Sequence, residues 1–364
     1  MTPLKAHVRS RQLELANTLT GKNAIYLDIK FWIILRDVLL GIRKSPVEEE
    51  LLLLLREGVQ RGIAFCPIND STFVELLKKA DSASRDVTAG LMDELSLGVT
   101  LIPYEMRAAT ELAHFLHSAR TANSVYALEQ LVWSKLAYVL GFQHPSGDVF
   151  APTEMLKIQK MFFDHMWTLS LREMIDQIGS KPLPPLDGYQ VLAERLNQLN
   201  SRHTTELRSF SQTYEIEVHG VLDAFEDVSY DIVAEMARKD MGKAHSPSAE
   251  ERAETVRQIH NLLFAAVKRD GTKGALRTLH IFATFHAAVR WNRQQRLKTN
   301  DFLDFQHAAA ALGYCDAFVT ERPLRSLITA RHVALDKIYG CRVMATPEEA
   351  TTYLRELLTR RTPR

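Results

Sequence analysis

Short apolar runs and longer amphipathic stretches take turns along the first hundred residues. The runs at 24–28, 63–66 and 99–102 are rich in β-branched and aromatic residues and predict strands. The stretches at 31–41, 43–60, 69–79 and 87–97 place apolar residues at helical spacing. Their ends agree: Pro46 with Glu48, Glu49 and Glu50 suits a helix start, Asn69 or Asp70 suits a cap, and Gly98 suits a stop. Residues 1–20 read as a helix or a loose arm. Strand and helix alternating in this way predict a parallel α/β sheet.

From 105 to about 296 the alternation gives way to helical spacing throughout. Helices are expected over 108–118, 124–140, 153–178, 189–238, 249–269 and 275–296, with breaks at 143–147, 181–185, 246–248 and 270–274. The α/β rhythm then returns. A helix from about Asp301 runs through four alanines to a stop at Gly313, and strands at 317–320 and 341–344 precede a closing helix at 347–359. The expected architecture is a parallel sheet flanked by helices, built from 1–103 and 296–364 and interrupted by an all-helical insertion at 104–295.

Composition narrows the partners. At 364 residues the chain can bury one large core or two smaller ones. Its 45 Lys+Arg against 44 Asp+Glu leave +1, so any nucleic-acid binding must rest on a local patch. Cys66, Cys315 and Cys341 sit in or beside expected strands without metal-ligand spacing, and read as reduced thiols of a cytoplasmic protein. The basic N-terminus lacks the apolar centre of a secretion signal, and the leucines at 51–55 are too few to span a bilayer; no membrane partner is expected. Phosphate-binding, dinucleotide-binding and nucleophile-elbow motifs are missing, and His260, His280 and His286 have no zinc-protease spacing. Met161, Phe162, Phe163, Met166 and Trp167 read as packing of the helical region rather than as a ligand pocket.

Chemistry concentrates where the α/β rhythm returns. Asp301, Asp304 and His307 lie three residues apart and share a helix face, and Asp316 and Glu321 bracket the strand that follows. Far upstream, Asp28 ends the first strand and Glu75 lies on the helix after the second. In an open α/β sheet the functional crevice lies beyond the carboxyl ends of the strands, so both ends of the chain are expected to meet there. Carboxylates crowded together stay ionised only around a cation, and an oxygen-only set suits Mg²⁺ or Mn²⁺, which can activate water for attack on phosphorus. Plain structural readings stand beside this one. Asp28 could cap the next helix, Glu75 could be a solvated acid, and Asp301 and Asp304 could favour the helix dipole by about 0.3–1 kcal/mol each. His307 could be a satisfied structural histidine.

The order of these elements resembles the PIN-domain nucleases. The resemblance rests on a strand ending in Asp28, an acid (Glu75) on the helix after the second strand, an acid opening a later helix, and Thr320-Glu321 closing the strand after it. It covers 1–103 and 296–360 and leaves the middle of the chain uncovered. It implies a PIN-like fold and metal-dependent hydrolysis of phosphodiester bonds, usually in RNA. By the same resemblance Asp28, Asp304 and Asp316 are ligands of Mg²⁺ or Mn²⁺, and Glu75 and Glu321 are direct or water-mediated ligands; His307, on the helix face of Asp304, is placed to orient a carboxylate or phosphate. Asp304 is preferred to Asp301 because the alanine run after it matches the family's spacing. Glu321 stands where the family has Asp or Asn, which favours an alternative, a PIN-like RNA- or protein-binding module without turnover. A phosphatase is a third reading, opposed by Lys30 where an Asp-x-Asp motif would carry its second acid. Arg290, Arg293 and Arg296, with Lys298 and Trp291 among them, and Arg322 and Arg325 after the last acids, form a patch suited to nucleic-acid phosphates, or else a cationic helix end. The helical insertion is expected to select substrate, bind a partner or form a homodimer.

Overall fold

The computed structural model describes residues 2–79, 81–120, 125–178, 187–203, 207–241, 248–269 and 273–360. The chain opens with α1 (Pro3–Leu19), β1 (Asn23–Leu27), α2 (Ile29–Leu39), α3 (Pro46–Gln60), β2 (Ala64–Phe65), α4 (Asp70–Leu77), α5 (Ser82–Ser96) and β3 (Val99–Leu101). The middle holds α6 (Tyr104–Arg120), β4 (Trp133–Lys135), α7 (Pro152–Met166), α8 (Leu171–Ile178), α9 (Asp187–Arg202), α10 (Phe210–Ala224), α11 (Glu226–Met241), α12 (Ala249–Val267) and α13 (Arg277–Trp291). The last part is α14 (Asp301–Tyr314), β5 (Ala317–Val319), α15 (Arg322–Thr329), α16 (Leu335–Tyr339), β6 (Arg342–Met344) and α17 (Pro347–Arg360). No helix of the described residues is long and apolar enough to cross a membrane.

The expected parallel sheet is present. Its four strands run in the order β2-β1-β5-β6, all parallel, with Ile25, Tyr26 and Leu27 opposite Ala317, Phe318 and Val319. β1 therefore pairs with a strand from the far end of the chain. Beyond β2, a parallel bridge from Ile68 to Thr100 brings β3 alongside. Successive side chains of β1 point to opposite faces. Ala24 and Tyr26 join the core under α1, α13 and α14, while Ile25 and Leu27 join the core under α2, α3, α5 and α17. Buried on both faces, the strands are apolar throughout, as a doubly covered parallel sheet requires.

The middle of the chain departs from an all-helical insertion. Residues 124–140 were expected to be helical, but Val132 and Trp133 run along the free edge of β3, and β4 pairs with it antiparallel, Ser134 opposite Thr100. Pairing that edge satisfies backbone groups that a helix there would leave bare. The helix expected at 153–178 is two helices, and that at 189–238 is three. Gly313 does not stop α14, which continues to Tyr314. The break at 181–185, most of that at 246–248 and 270–272 lie outside the described residues. The helical part and the sheet meet at α13. Its Ile281, Phe285 and Ala288 pack into the core of the sheet, and its Leu279 and Ala283 into a second core with α6, α10 and α12. Phe163 centres a small separate cluster, stacked on Tyr138 at 4.8 Å and joined by Val8 of α1, so the aromatic group is packing as expected; Met161 alone of that group is largely exposed.

Candidate active site

Backbone geometry delivers Asp28 to the carboxyl end of β1. Its carbonyl accepts from Phe31 N at 2.8 Å and so starts α2, but its side chain makes no capping bond. Instead Oδ2 accepts from Thr320 Oγ1 at 2.8 Å, across the end of the neighbouring strand β5. The capping alternative for Asp28 is thereby removed. Both residues are buried. Burial pushes the Asp28 carboxyl up, offset in part by His307 and the Thr320 bond.

On α14, Asp301 and Asp304 divide the work. Asp301 Oδ2 accepts from Lys298 N at 2.8 Å and so closes the turn that leads into the helix. Asp304, one turn later, has no ion pair among the described residues and faces Asp28. Burial first, and then the charge of Asp28, raise its carboxyl to about 7. The helix that carries it presses closely on its neighbours, with the alanines at 308, 309, 310 and 311 wholly enclosed.

His307 lies beneath the acids with no exposed surface. Its Nε2 is 2.7 Å from Glu75 Oε2 and its Nδ1 2.6 Å from the Tyr26 hydroxyl. Burial opposes the imidazolium, but the bond to Glu75 and the charges of Glu75, Asp28 and Asp304 outweigh it and hold the pKa above its ordinary value. A doubly protonated ring fits the partners: Nε2–H donates to the carboxylate, Nδ1–H donates to Tyr26, and the Tyr26 hydroxyl donates to Asn69 Oδ1 at 2.7 Å. Asn69 in turn caps α4 by accepting from Thr72 N at 2.9 Å. The start of α4, the middle of β1 and α14 are thus tied through one buried histidine. Gln306 adds a second tie, accepting from Ser71 Oγ at 2.6 Å and donating to Tyr189 of α9 at 2.9 Å.

Glu321 lies at the rim, half exposed, with Lys30 Nζ at 3.4 Å. Its charge reaches Asp28. Lys79, partly buried near Glu75, is lowered to about 8, by burial first and then by Arg36. Asp316 does not belong to this group. It precedes β5, at the amino-terminal edge of the sheet, where its Oδ2 accepts from Ala24 N at 2.8 Å. Four residue steps at about 3.3 Å each separate it from Thr320, a span of about 13 Å. The expected ligand role of Asp316 is therefore replaced by a structural one.

The basic patch is also divided. Arg290, expected to contact phosphates, is almost enclosed and pairs with Glu217 of α10 at 2.7 Å. It shares no helix face with Arg293, because α13 ends at Trp291. Arg293, Arg296 and Arg322 are exposed and have no ion pair among the described residues, whereas Arg325 pairs with Glu349 at 2.6 Å. A cleft of about 770 Å³ opens beside Asp304, with Trp291 and Arg293 in its wall.

Among the described residues, no group of three or more His, Cys, Asp or Glu side chains is set to hold a metal ion as it stands. The donor chemistry nonetheless fits a hard divalent cation. Asp28 is buried and Asp304 partly buried, both are raised toward neutrality, and neither is ion-paired with a basic side chain among the described residues. A cation that keeps several waters needs few protein ligands, and the charges of Glu75 and Glu321 both act on Asp28. Thr320 belonged to the expected motif without a role in the site, and Tyr26 and Asn69 had no place in the site at all. Thr320 carried a signal, as the residue after an apolar strand; Tyr26 carried none, since it reads as strand core. No protein-family model, no curated protein and no solved structure matches this chain.

Proposed function

We propose that the protein is a PIN-like, metal-dependent endoribonuclease, with Asp28 and Asp304 as the carboxylates that hold Mg²⁺ or Mn²⁺. The observation that supports this most is the approach of a buried carboxylate, Asp28, and a partly buried one, Asp304, from opposite ends of the chain at the carboxyl edge of a parallel sheet, with no basic side chain paired to either among the described residues. Acids held together without a cation weaken the fold, and a bound divalent ion would relieve that cost. The strand order, with β1 between β2 and β5 and β3 outside β2, agrees with the resemblance to PIN domains. In this reading 104–295 is an insertion that carries α9 and α13 to the rim of the site.

A divalent ion bound there would supply Lewis-acid activation of water for attack on a phosphodiester. The chain's own residues have separate tasks. Thr320 fixes the rotamer of Asp28 by donating to Oδ2. His307 fixes Glu75 and holds a positive charge under the carboxylates, limiting their mutual repulsion. Arg293, Arg296 and Arg322 offer mobile charges to nucleic-acid phosphates.

A second reading, a binding module without turnover, has one observation in its favour: Glu75 is already engaged by His307. Cleavage of end-labelled single-stranded RNA with Mn²⁺, Mg²⁺ or EDTA separates the two. Metal-dependent cutting by the wild type, lost in Asp28→Asn and in Asp304→Asn, is the expected result. RNA binding without cutting under every condition would replace the nuclease by the binding module.

A further inference from the structure

The cleft beside Asp304 has a make-up that hydrolysis alone does not require. Its floor is apolar, with Ala288, Phe305, Leu324 and Leu327. Phe305 is held flat by Phe285, centroids 4.8 Å apart and planes within 10°. The rim is polar and consecutive in sequence: the turn that ends α13 brings Trp291, Asn292, Arg293, Gln294 and Gln295 to the cleft in one run. Within that turn Asn292 is used internally, its Oδ1 accepting from Gln294 N at 3.3 Å and its Nδ2 donating to Gln295 Oε1 at 3.4 Å. The Gln294 side-chain amide has no hydrogen-bond partner among the described residues.

We propose that this cleft is a base-selecting pocket, receiving the base of a nucleotide next to the scissile phosphate of single-stranded RNA. The proposal rests on the hydrolytic reading of Asp28 and Asp304. Three features select this occupant. First, the volume falls within the ~300–1,000 Å³ range of small-ligand pockets and suits an inserted planar group. Second, an indole beside an apolar floor accepts the face of any base, while a primary amide presents the donor and acceptor pair that reads a base edge. Third, the charges are arranged for a nucleotide rather than an apolar peptide. Asp304 lies in the wall and exposed Arg293 at the rim, with Arg296 close after it, so a base in the cleft has its phosphates between the acids and the arginines. A base within a duplex is stacked and paired on both sides and could not enter. Selection here therefore requires an unpaired nucleotide.

The test is equilibrium binding to the full-length protein in EDTA, so that turnover plays no part. The probes are the four ribonucleoside 5′-monophosphates and ribose 5-phosphate, followed by tryptophan fluorescence and by calorimetry. Of the four tryptophans, Trp32 and Trp133 are buried and Trp167 packs on Phe163, which leaves Trp291 to report on the cleft. The expected result is saturable quenching with unequal affinities among the four bases. Trp291→Phe should remove the quenching while calorimetry still detects binding. Trp291→Ala should weaken binding about tenfold or more, and Gln294→Ala should bring the four affinities together. Asp28→Asn should leave base binding intact even though it is expected to end cleavage, so a failed nuclease reading and a failed pocket give different results. Binding of ribose 5-phosphate as tight as that of the nucleotides, no saturable binding of any nucleotide, or equal affinity in Trp291→Ala would each overturn the pocket.

Discussion

Asp304→Asn replaces a carboxyl by an amide of the same shape, and its effect on stability follows from the environment of the side chain. The carboxyl is raised from 3.8 to about 7 by burial and by Asp28. Below about pH 4 both folded and unfolded chains hold the proton, so the group adds no penalty. As pH rises from about 4 to about 7 the unfolded chain ionises first and stability is lost; above about 7 the whole penalty is present. At about 1.4 kcal/mol per unit of pH across that window, the penalty is about 4 kcal/mol. Unfolding entropy of about 2.1 cal/mol/K per residue makes each kcal/mol worth a little over 1 °C in a chain of this length. The metal-free variant should therefore melt about 3–5 °C above the wild type near pH 8, the lower part of the range reflecting the amide's own desolvation. Near pH 4 the two should melt together. Scanning calorimetry in EDTA at both pH values measures the difference. Equal melting near pH 8, or the same increment at both values, would show that Asp304 bears no charge penalty and would remove the main support for a cation site.

The paired ring of His307 makes it a structural support as much as a functional one: His307→Ala should cost about 2–4 kcal/mol in urea unfolding, because it empties a buried site and strands Tyr26 and Glu75. Arg290→Ala and Arg293→Ala should separate cleanly. The first should destabilise by about 2–4 kcal/mol by leaving Glu217 unpaired in a nearly enclosed place, while the second leaves unfolding unchanged and lowers the salt dependence of RNA binding by about one ion. Asp316→Asn should leave any cleavage rate at the wild-type level and cost about 1 kcal/mol through its bond to Ala24 N, as single-turnover rates and urea unfolding would show.

Elements with a strong local signature were legible in the sequence. β1 with its terminal Asp28, α4 with Glu75 and α14 with Asp304 each announce themselves through period, cap residue and an acid at a boundary. What escaped was set by contacts distant in sequence. Trp133 lies in a stretch with no breaker, and only the open edge of β3 makes it a strand. Arg290 has the spacing of a surface residue, and only Glu217 on another helix draws it inward. Asp316 and Glu321 look equivalent as brackets of β5, although a strand has a direction and its two ends face opposite edges of the sheet. The network of His307 was out of reach for another reason. Tyr26 belongs to the core by pattern, and its hydroxyl gains a role only once α4 and α14 are both packed against β1.

The pairing of β1 with β5 also sets a schedule for synthesis. Asp28 and Thr320 are 292 residues apart. At about 5–20 residues per second, roughly 15–60 s pass on the ribosome between them. For that time β1 has β2 on one side and a vacant edge on the other, and its core faces wait for α13, α14 and α17. On the proposed nuclease reading, a growing chain in this state carries Asp28 and Glu75 without their partners and cannot cut the message being read. Its unpaired strand edge stays open to pairing with other chains until β5 emerges.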